Sequence, residues 1–127
     1  MAMREIMFRG KDATGRKGWV FGDLVHNQKV TVTGLEPRVM VGGYEVFPYA
    51  VGQYTGVKDC DGTDIFEGDI VRNGDCGFLY VVVWSREFSS FRAKQIGSSS
   101  YIGINYWRHE LRVIGNVYDD KDLLTQK

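Results

Sequence analysis

Apolar and polar residues alternate from the start of the chain. Over residues 4–9, Ile6 and Phe8 fall on one side and Glu5 and Arg9 on the other, the pattern of a half-buried strand. The polar stretch 10–18 reads as a hairpin loop. Trp19, Val20 and Phe21 then open a second strand that breaks at Gly22-Asp23. Asn27 and Gln28 are expected to turn the chain into a β-branched strand at 30–33. Residues 38–41 and 44–47 are alternating runs separated by Gly42-Gly43, a strong hairpin signal, because a primed two-residue turn needs positive φ at both central positions. Pro48 has no N–H for a ladder and is expected to end that strand, leaving 51–56 as a short connection anchored by Tyr54.

The second half follows the same period. Residues 65–71 form a strand interrupted by Gly68, and Asn73-Gly74 marks a turn. Residues 78–84 are nearly all apolar and predict a central strand buried on both faces. Residues 88–93 pair back against it, and 111–118 form the last strand. Asp119 or Asp120 is placed to cap a final helical turn through Leu123 and Leu124, with Asp122 near its positive end. The expected fold is mainly β: short antiparallel strands and hairpins with a minor C-terminal helix. It is organised as two subdomains of one compact unit, 1–56 and 57–127. The stretch Phe21, Gly22, Asp23, Leu24 is echoed by Phe66, Gly68, Asp69, Ile70, and reused turn chemistry explains the echo better than a repeat.

Composition narrows the function. The 127 residues carry 16 basic and 16 acidic side chains, a formal charge of zero, which argues against coating nucleic acid or an anionic membrane by bulk attraction. Apolar residues at 43% and charged ones at 25% exclude a disordered chain. Cys60 and Cys76 form no Cys-x-x-Cys motif and are expected to be free thiols, with pairing between them left open. No apolar run approaches a membrane span, and the residues from Met1 to Glu5 lack the apolar core of a signal peptide, so a cytoplasmic protein is expected. Met1 and Ala2 read as a start-site extension.

Candidate chemistry is sparse. Asp59, Asp61, Asp64, Glu67 and Asp69 suggest calcium, but an EF-hand register counted from Asp59 puts glycine at position 4 and Ile70 at position 12. Glu67 and Asp69 make a weak acid/base pair, with Gly68 disturbing the geometry between them. His26 and His109 are the raw material for a two-histidine nuclease, yet no phosphate-binding lysine is tied to either by spacing. Walker, Rossmann, nucleophile-elbow and His-Glu-x-x-His motifs are absent. A basic-aromatic cluster does stand out. Arg92, Lys94, Tyr106, Trp107 and Arg108 are the residues with which a β-barrel would stack bases and hold phosphates.

Three stretches carry a family resemblance. One runs through Glu5, Ile6, Phe8 and Gly10 to Trp19, Phe21, Gly22 and Asp23. Another runs from Val51, Gln53 and Tyr54 through Asp59, Asp61 and Gly62 to Phe66, Gly68, Asp69 and Val71. The last is Val113, Gly115, Asn116, Val117 and Tyr118 with Leu123 behind it. Together these resemble the YopX family, proteins of unassigned activity encoded mainly by phages, prophages and their bacterial hosts. The resemblance implies a mostly β protein with an SH3-like barrel in its second half, and no assigned catalytic residue. The expected function is a non-enzymatic binding or assembly protein needing no cofactor or metal. Its partner would be another protein or a second copy, since small β domains leave strand edges that natural proteins cover. A single-stranded nucleic-acid binder and a small hydrolase or nuclease are the alternatives.

Overall fold

The computed structural model describes residues 4–125, so the reading of Met1 and Ala2 as a start-site extension lies outside the described residues. Eleven strands alternate with turns: β1 Phe8–Asp12, β2 Trp19–Gly22, β3 Leu24–Thr31, β4 Gly34–Val41, β5 Tyr44–Lys58, β6 Asp64–Phe66, β7 Asp69–Asn73, β8 Leu79–Ser85, β9 Ser90–Gln95, β10 Tyr101–Gly103 and β11 Leu111–Asn116. A single helical turn, α1 Ile104–Trp107, follows β10, and a 3-10 turn spans Lys121–Thr125. The mainly β expectation holds, and the C-terminal helix takes the tighter 3-10 form. The chain divides within β5 into two units, Met1–Gln53 and Tyr54–Lys127.

The first unit orders its strands β2-β1-β5-β4-β3, all antiparallel. Its core is Val20, Val41 and Val46, with Phe8, Leu24, Val39 and Val51 packed around them. Gly10 is required where β1 crosses this core, because a Cβ there would sit 2.7 Å from Val46. Gly42 and Gly43 take φ of 59° and 88°, giving the expected hairpin.

Two local expectations fail here for physical reasons. Pro48 does not end a strand, because β5 runs on to Lys58. The β1–β5 register jumps from Asp12↔Val46 to Gly10↔Val51, so Pro48 sits in the irregular stretch between, where a missing N–H costs no ladder bond. Asn27 and Gln28 do not turn but lie in mid-β3 opposite Arg38 and Pro37. The turn comes at 31–34 instead. There the Thr31 hydroxyl donates to the Gly34 carbonyl at 2.9 Å and accepts from the Thr33 N–H at 3.3 Å, local bonds that compete with an extended ladder.

The second unit is a five-stranded antiparallel half-barrel ordered β10-β9-β8-β7-β11, which meets the expectation of a barrel in this half. In the same unit β6 pairs with the end of β5, Tyr54 facing Phe66. Ile65, Val71, Tyr80, Val82, Ala93, Ile104 and Leu111 form the core, with Val57, Phe91, Ile102, Trp107 and Val113 against it. Each large side chain fully buried here contributes about 1.5–3 kcal/mol. The central strand β8 is buried on one face rather than two: Tyr80 and Val82 point into the core, and Val81 and Val83 are half-buried on the other face. An all-apolar run thus serves a one-sided sheet whose outer face stays aliphatic.

Candidate functional site

The acid-rich motif is committed to the backbone and to cations. Asp59 is buried. Its Oδ1 accepts the N–H groups of Asp61 at 2.8 Å and Thr63 at 2.9 Å, and its Oδ2 accepts the N–H of Val113 at 2.9 Å. Asp61 pairs with Arg112 at 2.8 Å, and Asp64 pairs with Lys58. Asp69, 1% exposed, turns its Oδ2 to the Phe66 N–H at 2.7 Å and so ties the bend that Gly68 makes at φ 92°. Ile65 and Phe66 enter the core, as expected of this stretch. Among the described residues no group of three or more His, Cys, Asp or Glu side chains is placed to hold a metal ion. Glu67 is half-buried while the Asp69 carboxylate faces its own bend.

The histidines belong to different units. His26 is exposed on β3 opposite Val39. His109 is exposed in the turn before β11, lining a shallow cleft with Lys58, Asp59, Asn105 and Arg108. Cys60 and Cys76 are free and exposed, and Cys76 Sγ lies 3.9 Å from the Tyr80 hydroxyl. Burial first, and then this thiol, raise the Tyr80 phenol above its ordinary value of 10.0.

The basic-aromatic residues fall into two groups. Arg92 and Lys94 lie two apart on β9 and share its outer face, and the Arg92 guanidinium stacks 4.2 Å over the Phe88 ring. Tyr106, Trp107 and Arg108 sit together at α1. Tyr106 is 82% exposed, whereas Trp107 packs on the core and meets Tyr106 edge-on at 5.5 Å. Arg108 donates from Nη1 to the Asn105 carbonyl and side chain, at 2.9 and 3.3 Å. Beyond Arg92 and Lys94, the outer face of the second sheet also carries Arg72 and Arg112, directly opposite each other on β7 and β11. Sequence reasoning missed that pair, because their 40-residue separation hides the register.

It also missed an exposed strand edge. β3 lies at the end of the first sheet and pairs with β4 over eight rungs, from Leu24↔Val41 to Thr31↔Gly34. β4 in turn pairs with β5 only at Met40 and Val41. The ribbon therefore extends beyond its sheet, and Val30, Val32 and Leu35 near its tip are 84%, 105% and 64% exposed. The valines near residue 30, framed by polar side chains, were the available signal.

Comparison with known proteins follows the same outline. The family model described as YopX protein matches residues 8–125. The chain belongs to the YopX family. No curated protein matches the sequence. Among solved structures, one similar to this YopX-family chain is the crystal structure of protein EF1440 from Enterococcus faecalis. It is 22% identical, has a TM-score of 0.59, and the match covers 96% of this chain and 99% of that one. At that identity the likeness supports the fold alone. Among the described residues no helix is long and apolar enough to cross a membrane.

Proposed function

We propose that this YopX-family protein acts by binding rather than catalysis, and that it assembles with a second copy through the edge of β3. One observation carries the reading: an eight-residue edge strand at the end of a ribbon whose tip exposes Val30, Val32 and Leu35. Natural proteins guard such edges with proline, lysine or bulges. On β3 there is no proline, and its one lysine, Lys29, is engaged with Glu45 at 2.8 Å. Antiparallel pairing of β3 with its symmetry mate is self-complementary about a two-fold axis, which favours a second copy over an unrelated strand. The commitment of Asp59, Asp61, Asp64 and Asp69 to structural bonds supports a role without chemistry at the motif. The resemblance to a family encoded mainly by phages, prophages and their hosts supports a role in the host bacterial cytoplasm. The test is light scattering on the size-exclusion eluate from micromolar to millimolar protein. A dimer that Val30→Glu and Val25→Lys each dissociate supports the reading, and a clean monomer throughout ends it.

A further inference from the structure

A cleft of about 480 Å³ opens in the second unit, between the ends of β7, β8 and β9 and the C-terminal 3-10 turn. Its walls are Phe78, Leu79, Ile96, Ile114 and Leu123, and its charged residue is Arg72. We propose that this cleft binds an amphipathic anion: a small molecule with an aliphatic body and one carboxylate or phosphate head. The proposal is independent of the assembly reading.

Volume and lining both fit. Small-molecule sites are mostly apolar concavities of about 300–1,000 Å³ with few polar groups to fix orientation. Four of the five apolar wall residues are aliphatic. Phe78 is 52% and Ile114 38% exposed, so the cleft holds large apolar side chains open to water. Among the described residues no acidic side chain lines it.

The charge pattern selects the head group. Arg72 is exposed on β7 and lies directly across the ladder from Arg112. Like charges opposite each other destabilise a strand pair. Arg112 is offset by Asp61 at 2.8 Å, whereas Arg72 has no carboxylate partner among the described residues. An anion at the mouth of the cleft would offset that second cation and form a forked hydrogen bond with the guanidinium. A neutral ligand with the same body gains only the apolar contact.

Titration of the isotope-labelled protein, followed by backbone amide shifts, tests this directly with octanoate, octyl phosphate and octanol. Octanoate or octyl phosphate is expected to move the signals of Phe78, Leu79, Ile96 and Ile114 and to bind about tenfold tighter than octanol. The tighter of the two anions identifies the head group. Arg72→Gln is expected to remove the preference for the anions, bringing their affinity to that of octanol for the same variant, and Ile114→Glu to abolish anion binding. Both positions are exposed, and an unchanged amide spectrum elsewhere confirms the fold. The proposal is overturned by equal affinity for octanol and the anions, by undiminished anion binding in Arg72→Gln, or by no shifts at these residues at millimolar ligand.

Discussion

The carboxylate of Asp59 reaches across 54 residues of sequence to accept the N–H of Val113 on β11 at 2.9 Å. The same side chain closes its own turn by accepting from Asp61 and Thr63. One buried acid therefore fixes a loop and docks that loop on the last strand. Asp59→Ala would take the acceptor from three part-buried N–H groups, two of them on exposed residues that water can reach. A hydrogen bond to a charged group contributes about 1.5–3 kcal/mol, so with partial replacement by water a loss of about 2–3 kcal/mol is expected in urea unfolding. The neighbouring Asp61–Arg112 bridge joins the same two segments, but its side chains are 53% and 63% exposed. Asp61→Ala should cost less than about 1 kcal/mol. Similar costs for the two variants would refute this division of labour.

Gly68 and Gly43 share nearly the same backbone, φ 92° and 88°, in different surroundings. A Cβ at Gly43 meets nothing within 4 Å, while one at Gly68 would lie 3.0 Å from the Tyr118 ring. Gly43→Ala should therefore cost only the left-handed strain, about 1–2 kcal/mol. Gly68→Ala should cost more by about 1 kcal/mol, since the ring must yield. Chemical denaturation of both variants measures the difference, and equal losses would remove Tyr118 from the account.

Asp12 predicts how the first unit responds to acid. The Thr14 hydroxyl, 2.6 Å from Oδ2, is the main influence holding this carboxyl below its ordinary value of 3.8, and backbone N–H groups of Lys17 and Thr14 add to it against the opposing pull of burial. A carboxyl depressed in the folded state contributes stability that is complete above its unfolded value. That contribution is lost as pH falls through the lower folded value. Stability should therefore decline below about pH 4 more steeply in the unaltered protein than in Asp12→Asn. Parallel pH profiles would show that the Thr14 contact has no energetic weight.

The parts of this fold legible in sequence are those set by local rules. Gly42-Gly43 forces its hairpin and Gly68-Asp69 its bend, because a positive φ or a carboxylate bonded to nearby backbone acts within a few residues. The C-terminal turn forms where expected, but Asp120 Oδ2 accepts the Asn116 N–H at 3.0 Å and Asp119 Oδ2 the Asn116 side-chain amide at 3.1 Å, both upstream of the turn they were expected to cap. What stayed hidden depends on partners far along the chain. Pro48 reads as a stop until the β1 register shows a bulge that tolerates it. The apolar run of β8 reads as doubly buried until the sheet proves one-sided. The Arg72–Arg112 opposition and the reach of Asp59 to Val113 are likewise products of strand order. The basic-aromatic residues can be picked out one by one in the sequence, but the irregular spacing around Tyr106 does not show that Trp107 packs on the core.

The ribbon itself should be uneven in stability. Its base, Leu24↔Val41 and Val25↔Met40, is continuous with the sheet because β5 pairs with Met40 and Val41. Rungs from Gln28↔Pro37 to Thr31↔Gly34 lie beyond that support, and a two-stranded ribbon alone is marginal in water. Local opening is governed by buried apolar contact, which declines toward Val30 and Leu35. Amide hydrogen exchange in dilute protein should therefore run faster at 28–31 than at Val25 and Met40. Raising the concentration should slow exchange on β3 selectively if a second copy covers that edge, since new ladder bonds protect donors on the edge strand but not those inside the first sheet. Uniformly slow exchange along β3 in dilute protein would mean that the ribbon is stiffened from within and has no need of a partner.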